Sequence, residues 1–319
     1  MRGDRPRPRG YVCPRAVAPP TLDGTLDEAI WDHAPWSELF VDIEGDRKPA
    51  PLFDTRMRML WDDDALYIGA RLDEPHVWGT LTQHDAVIYH DNDFEVFLDP
   101  SGRGHHYVEL EVNPLNTTWD LLLTHPYRSG GMPISGWEFE GVRTAIAIDG
   151  TLNDPSDIDI GWTVEIAIPW ASLRDVAGVP CPPRDGDQWR INFSRVEWQH
   201  SVIDGAYRKP PDTPEYNWVW SPQHAIDMHR PEWWGVLQFS DRTTDLPEVR
   251  PLEEWDERMA LLDVWEAEQA HRQSTGRFTA DPDALGCDIP SLELEATSTM
   301  FEARLGHCSI DHELRWRVP

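Results

Sequence analysis

An antiparallel β-sandwich is the fold class that this sequence predicts, and three observations carry it. Between Trp61 and Asn113, apolar residues recur at every second position: Phe94, Val96 and Leu98 flank Glu95 and Phe97, while Val108, Leu110 and Val112 flank Glu109 and Glu111. Just before this stretch, Met57, Met59 and Trp61 alternate in the same way with Arg56, Arg58 and Leu60. Period two is the signature of a strand with one buried face. Consecutive strands of this kind pair antiparallel, and a second sheet stacks behind them to cover the apolar side.

Residues 1–20 combine Arg, Pro and Gly with few apolar residues, which predicts a flexible basic arm. From Thr21, the run LDGTLDEAIWDHAPW predicts a turn at Asp23–Gly24 and then a short helix, with Asp27 near its start and Trp31 facing inward to plug one end of the sandwich. After the central strands, GVRTAIAI (141–148) predicts another strand, followed by an acidic, turn-rich loop. Trp162, Val164, Ile166 and Ile168 share one face of a further strand that Pro169 ends, and WASLRDVAG predicts a short helix. Trp189, Ile191 and Phe193 alternate with Arg190, Asn192 and Ser194, so Arg190 and Asn192 can face Glu109 and Glu111 as ion pairs or as a polar floor. Residues 196–234 then form a long, aromatic-rich loop region, of the kind more often functional than idle. Residues 235–239 close the sandwich, which spans 21–240.

Beyond Asp241, a charged linker precedes an expected helix over 252–273. It has Trp255, Met259, Leu262 and Trp265 on one stripe and Arg258, Glu266 and Glu268 off it. LELEATSTMFEARL and SIDHELRWRV alternate as strands, so residues 241–319 are expected to be a helix plus a small β extension packed on the sandwich.

Composition narrows function. With 28 basic against 57 acidic residues the formal charge is −29, which repels phosphate backbones and anionic lipid and argues against nucleic-acid and membrane partners. No run of eighteen apolar residues is present. Seventeen tryptophans are more than a core of this size absorbs, and tryptophan is seldom wholly buried, so ring faces are expected at the surface, where they suit sugars. The four cysteines are scattered without metal spacing, and a Cys287–Cys308 bridge is open to the chain but unforced. The start MRGDRPRPRG has no apolar core of signal-peptide length, so the chain as written is expected to be cytoplasmic; a start elsewhere would allow export.

Strand alternation turns Glu95, Glu109, Glu111 and Asn113 away from the core, beside Tyr89, Trp119 and Trp137. These residues make either a polyol-binding surface or a solvated outer face paired with arginines. A sugar ring has an apolar CH face and a hydroxyl rim, so a binding site needs aromatic planes together with acids or amides. Tyr89, Trp198, Trp218 and Trp220 are the expected planes, and Glu95, Glu111, Asn113 and Arg195 the expected hydrogen-bonding groups. The 196–234 loops would fold over the Glu95–Glu111 face to make one shallow acidic cleft.

The order of TLDGTLDEAIW (21–31), WDDDALYIGARL (61–72), DNDFEVFLDP (91–100), YVELEVNPLNTTWD (107–120), WTVEIAIPW (162–170) and WRINFSRVEW (189–198) resembles the family-9 carbohydrate-binding modules and their larger family 9-like relatives. The resemblance covers roughly residues 20–240. It implies a jelly-roll-like sandwich that holds a sugar between two aromatic rings without cleaving it, in the service of polysaccharide catabolism. Tyr89 stands where the family's stacking tryptophan lies, shortly before Glu95, and Glu111 stands where the sugar-binding modules carry an arginine. That exchange favours neutral mono- or oligosaccharides and repels uronic acids.

Two other functional classes compete. A glycoside hydrolase needs two carboxylates flanking a bond, but Glu109 and Glu111, about 7 Å apart along one strand, point the same way. A partner from Glu95, Asp120 or Glu197 would be required. Haem ligation would need opposed axial groups, whereas Met228–His229 and His105–His106 are neighbours, and no CxxCH is present. Calcium is the one metal the sequence suggests, through Asp91 and Asp93 or through the Asp62–Asp64 turn, where aspartate also serves simply as a turn former. No nucleophile elbow or phosphate loop is present, and Gly130–Gly131 lacks a following helix.

Overall fold

The computed structural model describes residues 5–317, and its core is the expected sandwich of two β-sheets. The larger sheet runs in the order Gly10–Pro14, Gly235–Ser240, Gln188–Glu197, Phe94–Asp99, Tyr107–Val112, Thr118–Leu123 and Pro133–Ile134. Tyr216–Val219 pairs with the distal half of Gln188–Glu197, and Val41–Asp42 lies beyond it. The facing sheet is Thr55–Trp61, Ala65–Asp73, Gly161–Pro169 and Arg143–Asp149, antiparallel throughout. Between the sheets lie the residues that the alternation pointed inward, including Met57, Met59, Val96, Leu98, Leu110, Ile166 and Phe193.

Two expectations for the sandwich are corrected, and one open question about the cysteines is answered. Residues 10–14 are not a loose arm, although residues 1–4 lie outside the described residues. They form a strand parallel to Gly235–Ser240, with Tyr11 and Cys13 in the core, because two inward residues within GYVCP suffice to anchor an edge strand that composition averaged over twenty residues hides. The Trp31 segment, a 3-10 turn at Ala29–His33, does not plug an end. It lies on the outer face of the smaller sheet against Leu60, Tyr67 and Ala167, and Trp31 Nε1 donates to Glu165 Oε1 at 2.9 Å. Glu165 also accepts from the backbone N–H groups of Asp23 and Gly24, and that buried acceptor fixes where the turn sits. All four cysteines are free, so Cys287 and Cys308 form no bridge.

The C-terminal helix spans Trp255–Thr275, and its stripe of Trp255, Met259, Leu262 and Trp265 is buried as expected. Arg258 and Glu268, expected off the stripe, are buried too. The helix is covered on more than one side. The sheet of Glu293–Ala296, Phe301–Leu305, Cys308–Asp311 and Trp316–Arg317 packs on one side, and the sandwich loops receive the other. Arg258 donates to the Gly102 carbonyl at 3.1 Å and lies over the Trp316 ring, which places a cation where an apolar stripe analysis expects solvent.

Candidate functional site

The outer face of the larger sheet carries a second, smaller apolar layer and, beside it, an acidic cleft. Antiparallel register places Glu95 opposite Glu111 and Ser194, Phe97 opposite Glu109 and Asn192, and Trp119 opposite Glu111. All of these therefore share the face turned away from the inter-sheet core. Phe97, Tyr107, Leu121 and Leu123 on this face are capped by Trp234, whose Nε1 donates to the Met228 carbonyl at 2.8 Å. The loop arriving at Trp234 thus folds over the sheet, as the long aromatic segment suggested.

Where that cover stops, a cleft of about 430 Å³ opens. Its floor is Glu95, Phe97, Glu109, Glu111 and Val196. One wall is Tyr89, Trp119 and Tyr127, and the other is Glu215, Asn217 and Ile226–His229. Tyr89 and Trp119 lie with ring centroids 6.4 Å apart and planes 33° from parallel. At 37% and 44% exposure, Tyr89 and Tyr127 present their rings to solvent, which the core tryptophans cannot do. Tyr89 is held on both sides: its backbone N–H donates to Glu111 Oε2 at 2.8 Å, and its carbonyl accepts from Trp198 Nε1 at 2.8 Å. His229, at the far wall, is paired with the Tyr107 hydroxyl at 2.9 Å, and burial pushes its imidazole down to about 4, so it is neutral near pH 7.

The floor is unusually rich in unbalanced acid. Burial, reinforced by Glu95, drives the Asp93 and Glu109 carboxyls well above the ordinary range, and burial with Glu95 and Asp93 does the same to Glu111. Burial pushes Glu95 up to about 7.

The structure brings together Tyr89, Glu95 and Glu111 of the expected site and separates the rest. Trp218 and Trp220 are 2% and 0% exposed and belong to the inter-sheet core. Trp218 lies opposite Arg195 in the ladder, which turns it inward, and Trp220 packs on Gly235 so closely that a Cβ there would lie 2.1 Å from the ring. Arg195 also points inward, because Ser194 rather than Arg195 is the register partner of Glu95; its guanidinium bonds Glu74 at 2.7 Å and Glu197 at 2.9 Å. Asn113 is buried, with its amide donating to the Leu81 carbonyl and Asp91 and its oxygen accepting from the N–H groups of Leu115 and Thr117, so it shapes the strand turn and contacts no cleft. Trp198 stays half-exposed beneath Lys209 and positions Tyr89 instead of lining the cleft. Arg190 does face outward, but its guanidinium is capped by the carbonyls of Pro231 and Glu232 and does not reach the acids.

The expected Asp91–Asp93 metal pair is not formed. Asp91 accepts from the Thr80 N–H and hydroxyl, the Leu81 N–H and Asn113, so both its oxygens are used in bracing a loop, and only Asp93 turns toward the other acids. Trp119 was legible from its parity with Glu111. Tyr127, Glu215, Asn217 and Asp227 carry no local signal, because loops and a short added strand bring them there.

Residues 22–180 match the family model described as carbohydrate family 9 binding domain-like. The chain carries a domain of that family. Among solved structures, the family 9-like fold recurs in a protein from Bacteroides uniformis described as a candidate carbohydrate-binding protein, with a TM-score of 0.54 and 14% identity over 73% of this chain and 100% of that one. A carbohydrate-binding module of family 9 from Caldicellulosiruptor kristjanssonii in complex with cellotriose aligns with a TM-score of 0.48 and 15% identity over 76% of this chain and 100% of that one. The same module in complex with glucose gives 0.47 and 15% over 75% and 100%. No curated protein matches the chain.

Proposed function

We propose that the protein is a non-catalytic binder of neutral mono- or oligosaccharides, serving polysaccharide catabolism, and that the Tyr89–Trp119–Tyr127 cleft is its binding site. The observation that carries this reading is the meeting of the exposed Tyr89 and Tyr127 rings and the half-buried Trp119 with carboxylates and an amide in one open cleft. The rings suit the CH face of a pyranose, and Glu95, Glu109, Glu111 and Asn217 suit its hydroxyls. Membership of the family 9-like domains supports the same ligand class. The concentrated negative charge favours neutral sugars over uronic acids.

Binding without cleavage fits the placement of the acids. Glu95, Glu109 and Glu111 rise from one face of two neighbouring strands, so they converge on a point and do not flank a bond from both sides.

A glycan array, followed by calorimetry on any hit, tests the proposal. Tyr89→Ala and Trp119→Ala should each weaken a neutral-sugar ligand several-fold, in line with roughly 1 kcal/mol for a stacked ring. Trp218→Ala should lower stability and leave the affinity of the folded fraction close to wild type. An affinity that survives loss of Tyr89, Trp119 and Tyr127 together would place the site elsewhere. Release of products from xylan or cellulose, abolished by Glu95→Gln, would make the protein a hydrolase instead.

A further inference from the structure

Two carboxyls of the cleft floor, Glu95 and Glu111, meet a third, Asp93, buried beneath them, which sugar recognition does not explain. Glu95 and Glu111 face one another across paired strands, and Asp93 precedes them on the same side. One oxygen from each lies within 4.8 Å of the other two. Two oxygens of one calcium shell, each roughly 2.3–2.6 Å from the ion, lie no more than about 5.2 Å apart, so three oxygens this close can share one ion. Direct contact between carboxylates gives no reason for it.

Hydrogen bonding accounts for only part of the group: Asp93 Oδ1 accepts from the Val196 N–H at 3.1 Å and Glu111 Oε2 from the Tyr89 N–H at 2.8 Å. Asp93 and Glu95 are 0% and 4% exposed, and Asp93 Oδ2 and Glu95 Oε2 have no hydrogen-bond partner. Buried polar oxygens without partners are costly and rare. Among the described residues no Lys, Arg or His forms an ion pair with any of the three. Arg195, on the strand beside Glu95, is committed to Glu74 and Glu197 on the other face.

We propose that Asp93, Glu95 and Glu111 bind a hard divalent cation of the calcium class at the floor of the cleft. The ligand set is all oxygen, which suits calcium, magnesium or manganese and not zinc or copper, whose preferred ligands are nitrogen and sulfur. Asp93 closes the inner side. Glu95 and Glu111 line the cleft, so the remaining coordination positions face solvent. The site shares Glu95 and Glu111 with the proposed sugar cleft, but its test uses no sugar, so the two readings fail separately.

Protein stripped with EDTA and dialysed is melted with and without calcium chloride, and terbium is titrated in while emission sensitised by nearby aromatic rings is recorded. Wild-type protein should melt higher in calcium, and calcium should displace the terbium signal. Glu95→Gln and Glu111→Gln remove like charge, so they should fold and melt no lower than wild type in EDTA. Each should weaken the calcium response by about 10-fold or more, at least the loss typical of an outer-shell change. Asp63→Asn, in an exposed hairpin turn, should keep the full response. Should a glutamine variant fail to fold, manganese broadening of the wild-type Trp119 indole resonance reads the same location. The proposal is overturned by a wild-type melt indifferent to calcium, magnesium and manganese, by glutamine variants that respond like wild type, or by manganese broadening that spares Trp119.

Discussion

Arg195→Met should cost the protein about 3–5 kcal/mol near neutral pH, because it strips two buried acidic side chains of the guanidinium that hydrogen-bonds both. Arg195 is 1% exposed at its side chain and bonds both Glu74 and Glu197, with further donations to the Thr55 hydroxyl and the Asp73 carbonyl. Methionine keeps much of the volume, so the measured loss reports charge and hydrogen bonding more than a cavity. Wild-type stability should itself fall as pH rises from 5 to 8. Burial first, and then the neighbouring Glu197, hold the Glu74 carboxyl up to about 9 from an ordinary 4.5, although Arg195 pulls it down. The folded protein therefore keeps a proton that the unfolded chain releases above about pH 4.5. The contribution of this group is complete below that pH and is lost as pH rises toward 9, at no more than about 1.4 kcal/mol per pH unit. Urea denaturation of wild type and variant at pH 5 and pH 8 checks both points. Equal stability of the two proteins at pH 8 would show that Arg195 does not hold this corner together, and a wild type as stable at pH 8 as at pH 5 would show that Glu74 does not keep its proton on folding.

Trp255→Ala should also remove about 3–5 kcal/mol, by opening a cavity where the C-terminal unit meets the sandwich. The Trp255 ring is 2% exposed and meets Trp233 edge-on, with centroids 5.6 Å apart. The Trp233 carbonyl accepts from the buried Ser221 hydroxyl, and the next residue is the Trp234 that caps the outer face of the larger sheet. Further ties run from Arg128 over the Trp265 ring, from Ser129 to the Glu313 carbonyl, and from the Trp316 N–H to the Arg103 carbonyl. A docked unit predicts a single melt at lower temperature for the variant, accompanied by weaker sugar binding, since Met228 and His229 in the cleft wall hang from the same loop. Two separate transitions, with the higher one unmoved, would mean instead that residues 241–319 melt independently of the sandwich.

Much of the fold was written in the local pattern. Phe94–Leu98, Val108–Val112, Trp162–Ile168 and Trp189–Phe193 alternate because each strand has one face on a dry core, and that constraint is visible residue by residue. The same parity turned Glu95, Glu109 and Glu111 outward, and Asn113 with them, although Asn113 ends in the strand turn and not in the cleft. The sequence by itself also determined the acidic surface and the family 9-like order of segments. Which outward residues meet was decided only by tertiary structure. Register set Ser194 and not Arg195 beside Glu95, a shift of one residue that sends a side chain through the sheet to the opposite face. The short strand at Tyr216–Val219 turned Trp218 inward and Asn217 outward, and the 220–234 loop brought Asp227 and His229 over a sheet more than a hundred residues away in the chain. Pairing register and loop closure are long-range choices, settled by which arrangement buries the most apolar surface, and no window of sequence contains both partners.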